Sequence, residues 1–106
     1  MKNTMILIAA TLLLSACSGI KLTTGGEKVR ILDPGEVSSC RKLGKTSNAV
    51  TARVVVERPE EAIAKELRIL ARNSAAGMGG DTIVPLTVIE NGQQTFEVFK
   101  CVNPNG

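Results

Sequence analysis

Residues 58–80 constrain the fold of this chain more than any other stretch. Pro59 at the predicted first helical position, followed by Glu60 and Glu61, marks a helix start. Proline brings its φ preset, and the two acids face the positive end of the helix dipole. Ile63, Leu67, Leu70, Ala71 and Ser74 recur at helical spacing and form one apolar stripe, with Lys65, Arg68 and Arg72 on the other side. Gly77-Met78-Gly79-Gly80 then offers the left-handed residues that a helix end uses. A single helix with one apolar stripe must bury that stripe against something else, so the remaining residues have to supply a sheet.

They do so on both sides of the helix. Residues 28–32 alternate polar and apolar, the pattern of a half-buried strand, and Asp33-Pro34-Gly35 closes them as a turn. A second strand is expected over 39–46, and a further extended piece over 50–56. Residues 82–90 read as a strand whose Pro85 implies an edge or a bulge, since proline has no N–H for the ladder. Asn91-Gly92 signals a two-residue hairpin into a return strand over 94–101. In that strand Phe96 and Val98 point to one face, and Phe99 and Cys101 to the other. The expected fold class is α+β: a small, mostly antiparallel sheet with one amphipathic helix packed on one face, in the order β-β(-β)-α-β-β. Residues 27–101 form the single domain and 102–106 a frayed tail. With no Trp or Tyr and only 2 Phe, its core is aliphatic.

The N-terminus says where such a domain would work. Lys2 is followed by an apolar run over 5–14 and then by Leu14-Ser15-Ala16-Cys17. That run is too short for a bilayer core of about 30 Å, which takes roughly 20 apolar residues. Leu14-Ser15-Ala16-Cys17 resembles the lipobox of bacterial lipoproteins. The resemblance implies a signal peptide over 1–16, cleavage before Cys17, and lipidation of Cys17, which anchors the chain in a membrane. The alternative is an ordinary secretory signal cut near Ala16, with Cys17 incidental. Ser18 stands where an Asp would imply inner-membrane retention in enteric-type sorting. The implied location is therefore the periplasmic face of the outer membrane. Residues 17–26 make the acylated cysteine and a short polar tether, whose nine residues after Cys17 reach at most about 30 Å.

Cleavage there leaves about 90 residues, near the size at which a core alone stabilises only weakly. Cys40 and Cys101 remain, and in an oxidising compartment they read as a disulfide. Closing a loop of about 60 residues is worth roughly 4 kcal/mol in the chain-entropy model. A metal site would lack a His or a third thiol. A redox pair would lack a Cys-x-x-Cys spacing. Two buried free thiols stay open as a further alternative.

Catalytic chemistry is thinly supplied. The chain has no His, the usual general base, and Ser38, Ser39 and Ser47 have no base at a recognisable spacing. Glu60, Glu61 and Glu66 fit helix-start electrostatics and a solvated face. The glycines before Asp81 end a helix, whereas a phosphate loop begins one, and neither Asp81 nor Glu90 has a second acid at a ligand spacing. Arg41, Lys42, Lys45 and Arg53 form a loose basic group suited to lipid phosphates or an acidic partner, or simply to a solvated strand face. No cofactor, metal or nucleic-acid partner is expected, and the chain is not expected to be an enzyme.

Three features together suggest a family: the lipobox, Cys40-Arg41-Lys42-Leu43-Gly44-Lys45, and the run from Ala71-Arg72-Asn73-Ser74-Ala75-Ala76 through Gly77-Met78-Gly79-Gly80-Asp81 into Thr82-Ile83-Val84, with Phe99-Lys100-Cys101 closing the domain. They resemble a family of small bacterial lipoproteins known only as a domain of unknown function. More distantly, the helix-end pattern resembles the Rcs envelope-stress sensor lipoprotein and its relatives. That likeness implies a disulfide-bearing domain that contacts other envelope proteins. The chain differs from the sensor in its short tether and its single candidate bridge. The function expected is that of a lipid-anchored, non-enzymatic interaction or stress-sensing module. The alternative is a structural or ligand-binding accessory that meets lipid phosphates or cell-wall glycan. A Cys40–Cys101 bridge predicts that Cys40→Ser costs several kcal/mol. An unchanged melting temperature of the oxidised protein would rule the bridge out.

Overall fold

The computed structural model describes residues 20–50 and 59–105. Its regular elements are β1 (Arg30–Ile31), β2 (Arg41–Ala49), α1 (Glu60–Gly77), β3 (Thr82–Pro85) and β4 (Gln93–Lys100). They form an α+β fold with one helix and a four-stranded sheet in the order β1-β3-β4-β2. The β3–β4 and β4–β2 pairs are antiparallel, and β1 runs parallel to β3, so the sheet is mixed. The parallel pair follows from the chain path, because β1 and β3 are separated by β2 and α1, a connection long enough for a crossover. Of the extended piece expected over 50–56, residues 51–56 lie outside the described residues.

The helix begins one residue later than its sequence signal: Pro59 is the N-cap and Glu60 the first helical residue. Ile63, Leu67, Ala71 and Ala75 are buried, while Leu70 and Ser74 are half-buried. Ala75 takes the position expected of Ser74 because it lies a full turn after Ala71 on the same face. Small residues at 71 and 75 let the helix approach the sheet closely. Phe96, Val98, Ile83 and Val29 fill the space between, with Leu43 and Ala76 at the margin.

The opposite sheet face carries a second, smaller cluster of Val37, Val84 and Phe99, bordered by Leu32, Cys40 and Cys101. Here the loop from β1 to β2 folds back over the sheet. It contains a 3-10 turn (Pro34–Glu36) held by a reciprocal box: the Asp33 side chain accepts from the Glu36 backbone, and Glu36 Oε1 accepts from the Asp33 N–H at 2.9 Å. The Cys40–Cys101 disulfide pins this loop to the end of β4, with Cα atoms 4.3 Å apart across 61 residues of sequence. Phe96/Val98 and Phe99/Cys101 therefore do face opposite sides.

The last strand shifts by one residue, from 94–101 to Gln93–Lys100, and the other three change more at their ends. β1 shortens to two residues because Gly26–Lys28 turns as a 3-10 helix just before it. β2 starts at Arg41 and extends to Ala49, with a bulge between Lys42 and Gly44 that leaves Leu43 without a partner. β3 stops at Pro85, and the hairpin closes separately through Glu90 and Gln93, whose amides bond each other's carbonyls at 3.0 and 2.8 Å. Between them Asn91 and Gly92 both take positive φ, 50° and 72°, as a type I′ turn requires. β3 is an interior strand, yet Pro85 is tolerated. Ile83 accepts from Leu32 on the β1 side, and alternation turns the Pro85 nitrogen to that same side, past the end of β1.

The helix end makes a tight contact with β4. Gly79 (φ 81°) donates to Ala76 and Gly80 donates to Ala75, the two bonds of a Schellman motif. A Cβ on Gly80 would sit 2.5 Å from Val98 Cγ1 and 3.1 Å from the Phe99 carbonyl oxygen, whereas one on Gly77 would meet nothing within 4 Å. Gly80→Ala should therefore lower stability by about 1–3 kcal/mol through overpacking. Gly77→Ala should be neutral or stabilising by up to about 1 kcal/mol. Urea midpoints of the two variants test this, and equal midpoints would refute the sealed contact.

Candidate functional site

The quoted run from Ala71 to Val84 falls at one end of the molecule, where it joins every part of the fold. Asp81 is its centre. The Asp81 N–H donates to Phe99 of β4 at 3.0 Å, and its carbonyl accepts from Arg30 of β1 at 2.9 Å. Its carboxylate takes the C-terminal end of β4: Oδ1 accepts from the Cys101 N–H at 2.8 Å and Oδ2 from the Val102 N–H at 2.9 Å. The hydroxyl of buried Thr82 adds a third bond to Oδ1 at 2.9 Å. Partial burial pushes the Asp81 pKa up, but the two backbone N–H groups outweigh it, helped by the Thr82 hydroxyl and the Arg30 charge. The carboxyl is held below its ordinary value of 3.8. Sequence reasoning left Asp81 as a lone acid. The signal it lacked is that residues 101 and 102 return to the helix end, a consequence of pairing rather than of spacing.

One turn back along α1, Arg72 and Asn73 hold the start of the domain. Arg72 was expected on the solvated face. Instead its Nε donates to the Val29 carbonyl at 2.9 Å and Nη2 to the Glu27 carbonyl at 3.2 Å. Asn73 Nδ2 donates to the Lys21 carbonyl at 2.9 Å, and its Oδ1 accepts from the Thr23 N–H at 2.8 Å and the Thr23 hydroxyl at 3.1 Å. The latter half of the expected tether is thus clasped to the helix. The expected frayed tail is also held as far as it is described, because Val102 bonds Asp81 and the Pro104 carbonyl accepts from Arg41 Nε at 2.6 Å.

The loose basic group does not form one patch. Arg41 is engaged with Pro104, Lys42 pairs with Glu97 at 2.5 Å, and Lys45 lies opposite Glu97 in the ladder. Arg53 and Cys17 lie outside the described residues. Glu60 and Glu61 occupy the first helical turn as expected, while Glu66 is half-buried instead of solvated. Among the described residues no three His, Cys, Asp or Glu side chains gather closely enough to hold a metal ion, and no helix is long and apolar enough to cross a membrane.

At the far end from Asp81, the connection between β3 and β4 exposes Leu86, Val88 and Ile89, with Val88 at 76 % of its full accessibility. Ile89 also borders a shallow groove of about 370 Å³ beside Glu60, Glu61, Ile63 and Ala64. These aliphatic side chains were read as the tail of a strand. The ladder of β3 ends at Pro85, and beyond it the Leu86 and Thr87 amides both donate to the Thr95 carbonyl.

The sign of the Asp81 linkage follows from its lowered pKa. Its ionised form is favoured in the folded state, so the stabilisation is complete above the ordinary carboxylate value of 3.8 and fades as pH falls through the lower folded-state value. Asp81→Asn replaces one acceptor with a donor that faces a backbone N–H, at a cost of about 1–3 kcal/mol near neutrality. In urea melts the gap between this variant and the parent should narrow as the pH drops below that range. A gap of constant size would mean that the charge contributes nothing.

No curated protein and no solved structure matches the chain. A family model, Domain of unknown function (DUF4156), matches residues 20–101, which takes in the clasped segment, both cysteines of the bridge and the helix-end joint except Val102. The chain belongs to this family.

Proposed function

We propose that the protein is a lipid-anchored envelope protein, acylated at Cys17 and held on the periplasmic face of the outer membrane. Its α+β domain serves as a non-enzymatic interaction module in stress sensing. The observation that carries this reading is the closeness of the lipobox residues to the fold: Cys17 is followed within four residues by Lys21, whose carbonyl Asn73 already holds. A protein built this way puts its domain directly at the membrane surface.

The interaction role draws on what the helix-end joint leaves free. Both Asp81 carboxylate oxygens are taken by hydrogen bonds within the domain, so this acid is built into the fold instead of being offered to a substrate. Leu86, Val88 and Ile89, in contrast, present aliphatic surface to solvent, the composition that favours contact with another protein. The bond from Arg41 to Pro104 and the position of Lys45 opposite Glu97 weigh against the accessory reading, in which Arg41, Lys45 and Arg53 meet lipid phosphates or glycan.

Two measurements test the proposal. Cys17→Ala should move the protein from the membrane fraction to the soluble periplasmic fraction, and retention on membranes would sink the anchoring claim. A photocrosslinking residue in place of Val88 in living cells should give discrete protein adducts. Lipid or glycan adducts alone would favour the accessory reading.

A further inference from the structure

We infer that the clasped N-terminal segment forms the membrane-facing side of the domain, so that the exposed Lys21, Thr24, Lys28 and Arg30 lie against lipid headgroups and the β2 edge faces away. This inference rests on the proposed anchor at Cys17. From that residue to Lys21 the chain can extend no more than about 14 Å. Lys21 is where the attachment begins, because Asn73 holds the Lys21 carbonyl and the N–H and hydroxyl of Thr23.

Arg72 extends the same attachment to Glu27 and Val29, and Val29 is part of the main core. The segment is therefore a rigid part of the domain as far as β1, the strand at one edge of the sheet. β2 forms the opposite edge, three strand spacings or about 14 Å further away. A tether this short, attached at one edge, keeps that edge at the bilayer. Lys21, Lys28 and Arg30 on this side suit anionic headgroups, with Glu27 an acid among them and Asp81 close to Arg30. Glu60, Glu61 and Glu90, at the end of the domain near the hairpin, are the charges such a surface would repel.

The test uses the full acylated protein in vesicles of phosphatidylethanolamine and phosphatidylglycerol that carry a nitroxide quencher on a fraction of the headgroups. A fluorophore is attached through Thr24→Cys in one sample and Lys45→Cys in another, both exposed positions. Several-fold stronger quenching at position 24 than at 45 is the expected result. Equal quenching in protein that still floats with the vesicles overturns the orientation and leaves the anchor standing. Failure of the acylated protein to float overturns the anchor, and the orientation with it. Adding Asn73→Ala should bring the two signals towards equality by releasing residues 21–23. A ratio that stays unchanged would show that the clasp does not set the orientation.

Discussion

The fold depends on a close approach at Gly80. The last helical turn, the Val98 side chain and the Phe99 carbonyl converge there, leaving no room for a side chain. Because Gly80 is small, Asp81 sits where its backbone can bond β4 on one side and β1 on the other. From the same place its carboxylate reaches the N–H groups beyond β4, one of which belongs to a disulfide cysteine. Helix, three strands and bridge thus meet within two residues. Displacing Gly80 would loosen all of them together, which is more than the loss of one well-packed contact.

How legible this was depended on the range of the interaction. The helix, the Asn91-Gly92 turn and the two faces of β4 could be read from the sequence because each rests on neighbours a few residues apart. The pairing of Cys40 with Cys101 was legible for a different reason: with Cys17 assigned to the lipobox, no other partner remained. Arg72 was misjudged and the clasp at Asn73 went unseen because helical periodicity ranks side chains by facing and says nothing of a segment arriving from 50 residues away. Asp81 was undervalued on the same ground. The residues called tether and tail looked disordered in composition, yet backbone carbonyls at Lys21 and Pro104 give polar side chains something to hold whatever the local sequence.

The motif that suggested the family therefore has a structural explanation, residue by residue. Arg72 and Asn73 bind the entering chain, Ala71 and Ala75 allow the close packing, and Gly79 and Gly80 turn the helix end. Asp81 closes the joint. Arg72, Asn73 and Asp81 all make hydrogen bonds within the domain. A motif occupied in this way identifies the fold and directs attention for function elsewhere, to the hairpin aliphatics.

The positions of those features bear on how a lipid-anchored domain would transmit information. In the proposed orientation, the anchor pulls on Asn73, which lies about one turn before the end of α1 at Gly77. Load at the membrane therefore enters the domain beside the joint that ties together helix, sheet and disulfide. The exposed Leu86, Val88 and Ile89 lie at the other end, beyond the two strands that leave this joint. That arrangement keeps the attachment rigid and the contact surface free of it. A partner at the hairpin would bind a surface whose height above the membrane is set by the clasp.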